Sequence, residues 1–244
     1  MSGFIDFWLV LIPRHLPFLL QGAIVTLQLS VVSMIFAILI GLACALGRMS
    51  GNRFINAVVA TYVEIIRDVP LIVLLLVIFF TLPQIGISLP GFWAGVLGLS
   101  LNVGAYLSEV FRAALASVDP GQKDAGLSIG MSRFTVFRRV SLPQAMLIAV
   151  PTIGGYFISL LKDSALVSFI AVNELMRQGT ILISNTFRSM EIYFMVALIY
   201  FVMSFIAARL VRWIEYRLTP AYLRRQRPAA APDPALPPLQ APAA

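Results

Sequence analysis

The sequence predicts an all-α, polytopic membrane protein of about five transmembrane helices. Two bulk observations and one pattern carry that expectation. Hydrophobic residues fill 59% of the 244 positions and charged residues only 12%, about half the charge that coats an ordinary soluble domain. The charges are also segregated, with long apolar stretches alternating with short polar intervals. A helix needs about 20 apolar residues to cross a bilayer, and five stretches approach or exceed that length. One cysteine, Cys44, excludes an internal disulfide and a multi-cysteine metal site. The single His15 reads as an interfacial residue rather than a ligand.

In chain order, residues 1–17 predict an interfacial lead-in, broken by Asp6, Pro13 and Arg14. The start lacks a basic leader region, so no cleaved signal is expected. Residues 18–47 form the first span, and a short basic loop runs from Arg48 to Asn56. The second span covers 57–82, with Glu64, Arg67 and Asp68 near its entry and Pro70 placed to kink it. An uncharged turn, Thr81 to Pro90, leads to a third span at 91–115 that contains Glu109 and ends near Arg112. The fourth and fifth spans are expected at 143–162 and 190–211. Between them, residues 163–188 are mixed in character. Residues 227–244 are Pro/Ala-rich and predict a disordered tail.

Five spans put the two ends on opposite sides, and basic residues choose the side. Fourteen of the eighteen Lys and Arg residues fall on the side holding the 120–143 interval. That side is expected to be cytoplasmic, with the N-terminus outside and the C-terminus inside. The net charge of +7 is thereby assigned to membrane orientation, not to nucleic-acid binding.

The interval Pro120–Pro143 is the longest polar segment, as an interaction surface would be. Gln122 to Ile129 predicts a short helix whose Ala125 and Gly126 leave a bare face for a partner to approach. Gly130 ends that helix, and Ser132 caps a second one. In the second, Phe134, Phe137 and Val140 share a face, while Arg133, Arg138 and Arg139 can meet phosphates. Leu142-Pro143 is expected to end it and turn the chain into the membrane.

Three further groupings stand out. Glu64 and Arg67, three apart, predict a structural ion pair at the cytoplasmic edge of the membrane, with Pro70 beyond them and an element of a gate as the alternative reading. Glu109 and Arg112 have the same spacing and predict an ion pair at the end of a helix, where Tyr106 and Ser108 could line a path. Lys162, Asp163 and Ser164, following Tyr156, put ionisable groups at the membrane margin, which makes them candidates for a translocation path. A lysine snorkelling to headgroups beside a helix-ending aspartate explains them equally well. Glu174 and Arg177 suit an outer docking face, and Arg188 with Glu191 are placed to pin the fifth helix.

The spacing of Asp124-Ala125-Gly126, Gly130 and Leu142-Pro143 resembles the "EAA" loop of ABC importer permeases. Gly104 to Arg112 before it and Phe157 to Ser164 after it resemble the polar-amino-acid permease family, the His/Glu/Gln/Arg/opine group. The resemblance runs from about Gly22 to about Leu218. It implies a type I importer (MetI-like) transmembrane domain over 18–218, in the bacterial cytoplasmic (inner) membrane. It also implies docking of an ATP-binding subunit dimer through Gly121, Gln122, Asp124, Ala125, Gly126, Gly130, Leu142 and Pro143. A second permease, identical or similar, and an extracytoplasmic solute-binding protein complete the implied assembly. ATP and Mg would sit on the partner ATPase, with no cofactor on this chain.

The chain departs from the family pattern in three places. Asp124-Ala125-Gly126 stands for Glu-Ala-Ala, Asp68-Val69 for Gly-Thr before Pro70, and Gly155-Tyr156 for Asn-Gln. The last leaves basic, acidic and neutral amino acids, and opines, all open as substrates. No G-x-x-x-x-G-K-[ST] loop is present, so the chain lacks the usual ATP cradle, and no nucleophilic triad can be assembled. A non-catalytic permease is the expectation. A gradient-driven carrier or channel is the alternative, although no internal repeat supports it; a membrane-embedded enzyme would want clustered acids, and these are scattered.

Overall fold

In the computed structural model, residues 12–218 are described, and every regular element among them is helical. Most of the lead-in and the whole Pro/Ala stretch lie outside the described residues. Helix α1 spans Ile12–Arg48, so Pro13, Arg14 and Pro17 already belong to it. Pro13 falls in the first turn, where its missing amide has no intrahelical partner to lose, whereas Pro17 lies inside the helix and costs it one backbone hydrogen bond.

The expected second span is not one kinked helix. Helix α2 (Arg53–Asp68) and helix α3 (Leu71–Thr81) meet at 107°. The residue before a proline is driven out of the helical region. Val69 (φ −87°, ψ 128°) and Pro70 (φ −56°, ψ 136°) are both extended. Two consecutive extended residues break a helix where a lone proline would bend it. Asn52 caps α2 through its side-chain oxygen, which accepts from the Phe54 and Ile55 amides.

Helix α4 (Gly91–Ala116) is the central element, with Ala94, Leu99, Ala105 and Leu107 all fully buried. It packs along α1, where Gly41 lies against Leu107 and the Gly104 carbonyl. The Ser100 hydroxyl donates to the Val96 carbonyl of its own helix at 2.5 Å, with the Ser33 carbonyl of α1 3.2 Å away. Small residues at such a seam let two helices approach closely inside a membrane.

Beyond α4 come α5 (Pro120–Ser128), the one-turn α6 (Arg133–Val136) and a π-turn at Phe137–Ser141. Helix α7 (Leu142–Asp163) continues directly from that turn, and a 3-10 segment, Ser164–Ile170, follows. Helices α8 (Leu175–Thr186) and α9 (Ser189–Leu218) complete the described chain. Four helical stretches, based on α1, α4, α7 and α9, are long and apolar enough to cross a membrane, and the bent α2–α3 pair makes up to five.

Two expected features of the last third are corrected. Glu174 is fully buried, not on an outer face. Its carboxylate caps α8, accepting from the Met176 and Arg177 amides at 2.8 and 2.7 Å and from the Tyr200 hydroxyl of α9 at 2.9 Å. The Thr26 hydroxyl of α1 accepts from the Leu175 amide at 3.1 Å. The cap thus fastens α8 to both α1 and α9. Arg188 and Glu191 form no ion pair, and α9 is anchored instead by buried Ile192, Met195 and Val196.

Candidate substrate cavity and docking loop

The break between α2 and α3 opens a cavity of about 420 Å³ against α4 and α7. Arg67, Asp68 and Pro70 reach it from the break. Asn102 and Tyr106 reach it from α4, and Tyr156, Ser159 and Asp163 from α7. The last three are spaced i, i+3, i+7, which places them on one helix face.

An aromatic column forms one side of the cavity. The Arg67 guanidinium lies over the Tyr106 ring, 5.3 Å from its centroid, and Tyr106 stacks on Tyr156 at 5.8 Å with 28° between planes. The Tyr106 hydroxyl donates to the Arg67 carbonyl at 3.4 Å, one of the carbonyls left without a helical partner where α2 stops.

Among the described residues there are two ion pairs, and both belong to Glu109. Arg67, Asp68 and Asp163 therefore face the cavity with their charges unpaired. Such groups are costly at membrane depth unless they meet water or a ligand of opposite charge. A cation and two acids, with hydroxyl and amide groups between them, suit a small molecule that carries both an ammonium and a carboxylate. The volume falls within the range of small-molecule sites.

The cavity takes some of the expected residues and not others. Asp163 and Tyr156 line it, whereas Lys162 is exposed on another face of α7. Ser164 is fully buried, and its hydroxyl donates to the Leu161 carbonyl at 2.8 Å. Ser108 is likewise buried, donating to the Ala105 carbonyl at 2.7 Å. The expected Glu64–Arg67 pair does not form: Arg67 turns to Tyr106, and Glu64 is exposed. Ser159 and Asn102 lie outside the expected set; the signal for Ser159 is its spacing from Tyr156 and Asp163, and the signal for Asn102 is its i, i+4 spacing from Tyr106.

Glu109 does pair with Arg112, at 2.7 Å. It also holds Arg48, at the end of α1, in a second ion pair. The 61-residue separation of Arg48 and Glu109 left no local signal for it. The triad ties the ends of α1 and α4 together beside the docking loop.

In that loop, α5 begins two residues earlier than expected. The Asp119 carboxylate caps it by accepting from the Gly121 amide at 2.6 Å, with Pro120 in the first turn. Gly130 ends the helix in the left-handed region at φ +84°. The Gly130 amide donates to the Leu127 carbonyl, and the Met131 amide to the Gly126 carbonyl, the paired bonds of a Schellman motif. Ser132 caps α6, accepting from the Thr135 amide at 3.2 Å.

Two expectations about this loop are corrected. The bare face at Gly126 is filled from within, because a Cβ there would lie 2.9 Å from Val136 Cγ2. The inward residue of α6 is Val136, while Phe134 is 70% exposed. Leu142-Pro143 does not end a helix either. The Leu142 amide donates to the Phe137 carbonyl, five residues back, and the wider π-turn admits Pro143 without a clash against the preceding turn. Gly121, Gln122, Asp124, Ala125 and Gly130 are all exposed, with Ile129 78% exposed beside them.

Residues 37–220 match the profile of a family described as "Binding-protein-dependent transport system inner membrane component". The chain is similar to the L-cystine transport system permease protein TcyB of Bacillus subtilis (strain 168). The two are 40% identical over 203 residues, covering 83% of this chain and 87% of the relative. The glutamine transport system permease protein GlnP of Escherichia coli (strain K12) is 35% identical over 205 residues, covering 83% and 94%. The crystal structure of an amino acid ABC transporter with histidines superposes with a TM-score of 0.78 at 40% identity, over 84% of this chain and 96% of that one. An inward-facing form of the MetNI methionine ABC transporter gives 0.71 at 22% identity, covering 84% and 98%, a likeness of fold alone.

Proposed function

The chain belongs to the family of binding-protein-dependent transport system inner membrane components, and from that membership we propose that it passes polar amino acids, or close analogues such as opines, through the Arg67–Asp163 cavity. It is a permease subunit of an ABC importer, a multi-pass protein of the inner membrane. The family implies an ATP-binding subunit and a substrate-binding protein as partners. None of these relatives favours a gradient-driven carrier.

The observation that carries the substrate reading is the set of unpaired charges around one cavity. The Arg67 guanidinium would take the substrate carboxylate, and Asp163, with Asp68, the ammonium. The Tyr106–Tyr156 stack would border the substrate's apolar part. The sequences named for cystine and glutamine transport are consistent with a substrate that carries both charges.

The remaining parts follow the importer plan. The exposed face of α5, with Asp124, Ala125 and Ile129, would meet the ATPase, which holds ATP and Mg. The chain itself performs no bond chemistry. Two permeases would stand side by side with the path between them. With α2–α3 counted as one span and the basic side taken as cytoplasmic, the N-terminus would lie outside and the docking loop inside, where an ATPase could reach it. A binding protein would deliver cargo from the outer side. Helix α7 joins these functions, since it leaves the docking loop at Leu142, passes Pro151 within the helix and reaches the cavity at Asp163.

Uptake in proteoliposomes containing the ATPase and the binding protein tests this reading. Removing one charge-assisted hydrogen bond costs about 1.5–3 kcal/mol, so Asp163→Asn is expected to cut uptake about tenfold or more while ATP hydrolysis persists. Unchanged uptake and substrate preference in Asp163→Asn would refute it.

A further inference from the structure

We propose that a second cavity, between the docking loop and the ends of α1 and α4, holds one anionic phospholipid of the adjacent leaflet. This space is also about 420 Å³, and it shares no residue with the substrate cavity. It does not depend on which substrate the protein carries.

Position comes first. Leu46 and Leu115 line the cavity, and they lie within two residues of the ends of α1 and α4. Both helices are long and apolar enough to span, so the cavity sits where acyl chains give way to headgroups.

Composition comes second. Leu46, Leu115, Val136 and Phe137 make most of its wall apolar, while Lys123 and Arg133 stand on the side of the loop. No acidic residue lines it. Neither cation is in an ion pair, because both ion pairs among the described residues are made by Glu109. A soluble anion would answer the two cations and leave the apolar wall in water. A neutral lipid would cover the wall and leave the cations unanswered. An anionic headgroup with an acyl chain behind it satisfies both, as basic pockets at membrane surfaces do for acidic lipids.

The cavity also has a mechanical place. Val136, which fills the gap at Gly126, is one of its walls. A lipid seated there would join α5 and α6 to the ends of α1 and α4, and so set the posture of the docking loop.

The test uses the full chain, purified in a mild detergent and examined by native mass spectrometry with phosphatidylglycerol or phosphatidylcholine of identical acyl chains. Preferential retention of phosphatidylglycerol is expected, falling about tenfold, to the phosphatidylcholine level, in K123Q/R133Q. Phosphatidylglycerol with a photoreactive acyl chain should label the peptides containing Leu46 or Leu115. If K123Q/R133Q does not elute as a folded species, L46W takes its place; it keeps both cations, fills the wall and should abolish that labelling.

Equal retention of the two lipids, or labelling elsewhere, would overturn the proposal. So would suppression by inorganic phosphate, which would assign the cavity to a soluble anion. Labelling lost on adding the ATPase subunit would assign it to a protein contact instead.

Discussion

Replacing Glu174 by alanine should destabilise the whole protein rather than weaken a docking surface. The carboxylate is fully buried and accepts from the Met176 and Arg177 amides and the Tyr200 hydroxyl. Loss of an N-cap costs about 1–2 kcal/mol, and loss of the hydrogen bond from the Tyr200 hydroxyl to the charged carboxylate adds about 1.5–3 kcal/mol. The truncated side chain leaves a void at the junction of α1, α8 and α9 as well. A total of about 3–5 kcal/mol corresponds to a melting temperature lower by roughly 6–20 °C for a chain of this size. Cys44 is the only cysteine and half-buried, so a thiol-reactive dye reports unfolding in detergent without any engineering. Glu174→Gln keeps one acceptor oxygen for the cap and should lose much less. If Glu174→Ala melted within a degree of the parent and only lost affinity for a binding protein, the buried-cap account would be wrong and the surface reading right.

Three further outcomes follow from the geometry. Gly154 of α7 lies against Val211 of α9, where an added Cβ would collide with the valine methyl; Gly154→Ala should lower the melting temperature, and Val211→Ala should restore it. Gly130→Val forces a β-branched residue into the left-handed region, which costs about 1–2 kcal/mol; uptake should fall while basal ATP hydrolysis continues, and normal uptake would remove the docking role from this turn. Glu109 holds both Arg48 and Arg112 at partly exposed positions, so each pair is worth less than about 1 kcal/mol. Glu109→Gln combined with Arg48→Gln should therefore destabilise no more than Glu109→Gln alone, and additive losses in a double-mutant cycle would show that the arginine has another partner.

Local signals in the sequence carried well into three dimensions. The spans for α4, α7 and α9, the Gly130 stop and the Ser132 cap were legible because each depends on a few neighbouring residues. The Glu109–Arg112 pair was legible for the same reason. What required distant partners was not. Glu174 read as an outer-face residue because Thr26 and Tyr200, which bury it, lie 148 and 26 residues away. Gly126 read as open to a partner because nothing local announces that Val136 folds back onto it. At Pro70 the sequence suggests a kink, but Val69 leaves the helix as well and the kink becomes a break. The candidate cavity was half visible: Asp163 and Tyr156 stood out, but the spacing that adds Ser159 and excludes Lys162 becomes decisive only once α7 has a fixed inner face.

The close contact of Gly154 with Val211 makes α7 a lever with a fulcrum. Helix α9 presses on α7 part-way along its length, 12 residues from Leu142 and 9 from Asp163, or about 18 Å and 14 Å at 1.5 Å per residue. A pivot there moves the two ends of a stiff helix in opposite directions, with a travel at Asp163 about three quarters of that at the loop, and less to the extent that Pro151, three residues from the contact, lets α7 flex. An ångström-scale push at the docking loop thus arrives at the cavity slightly reduced and reversed in sense, so that inward movement of the loop corresponds to outward movement of the Asp163 end.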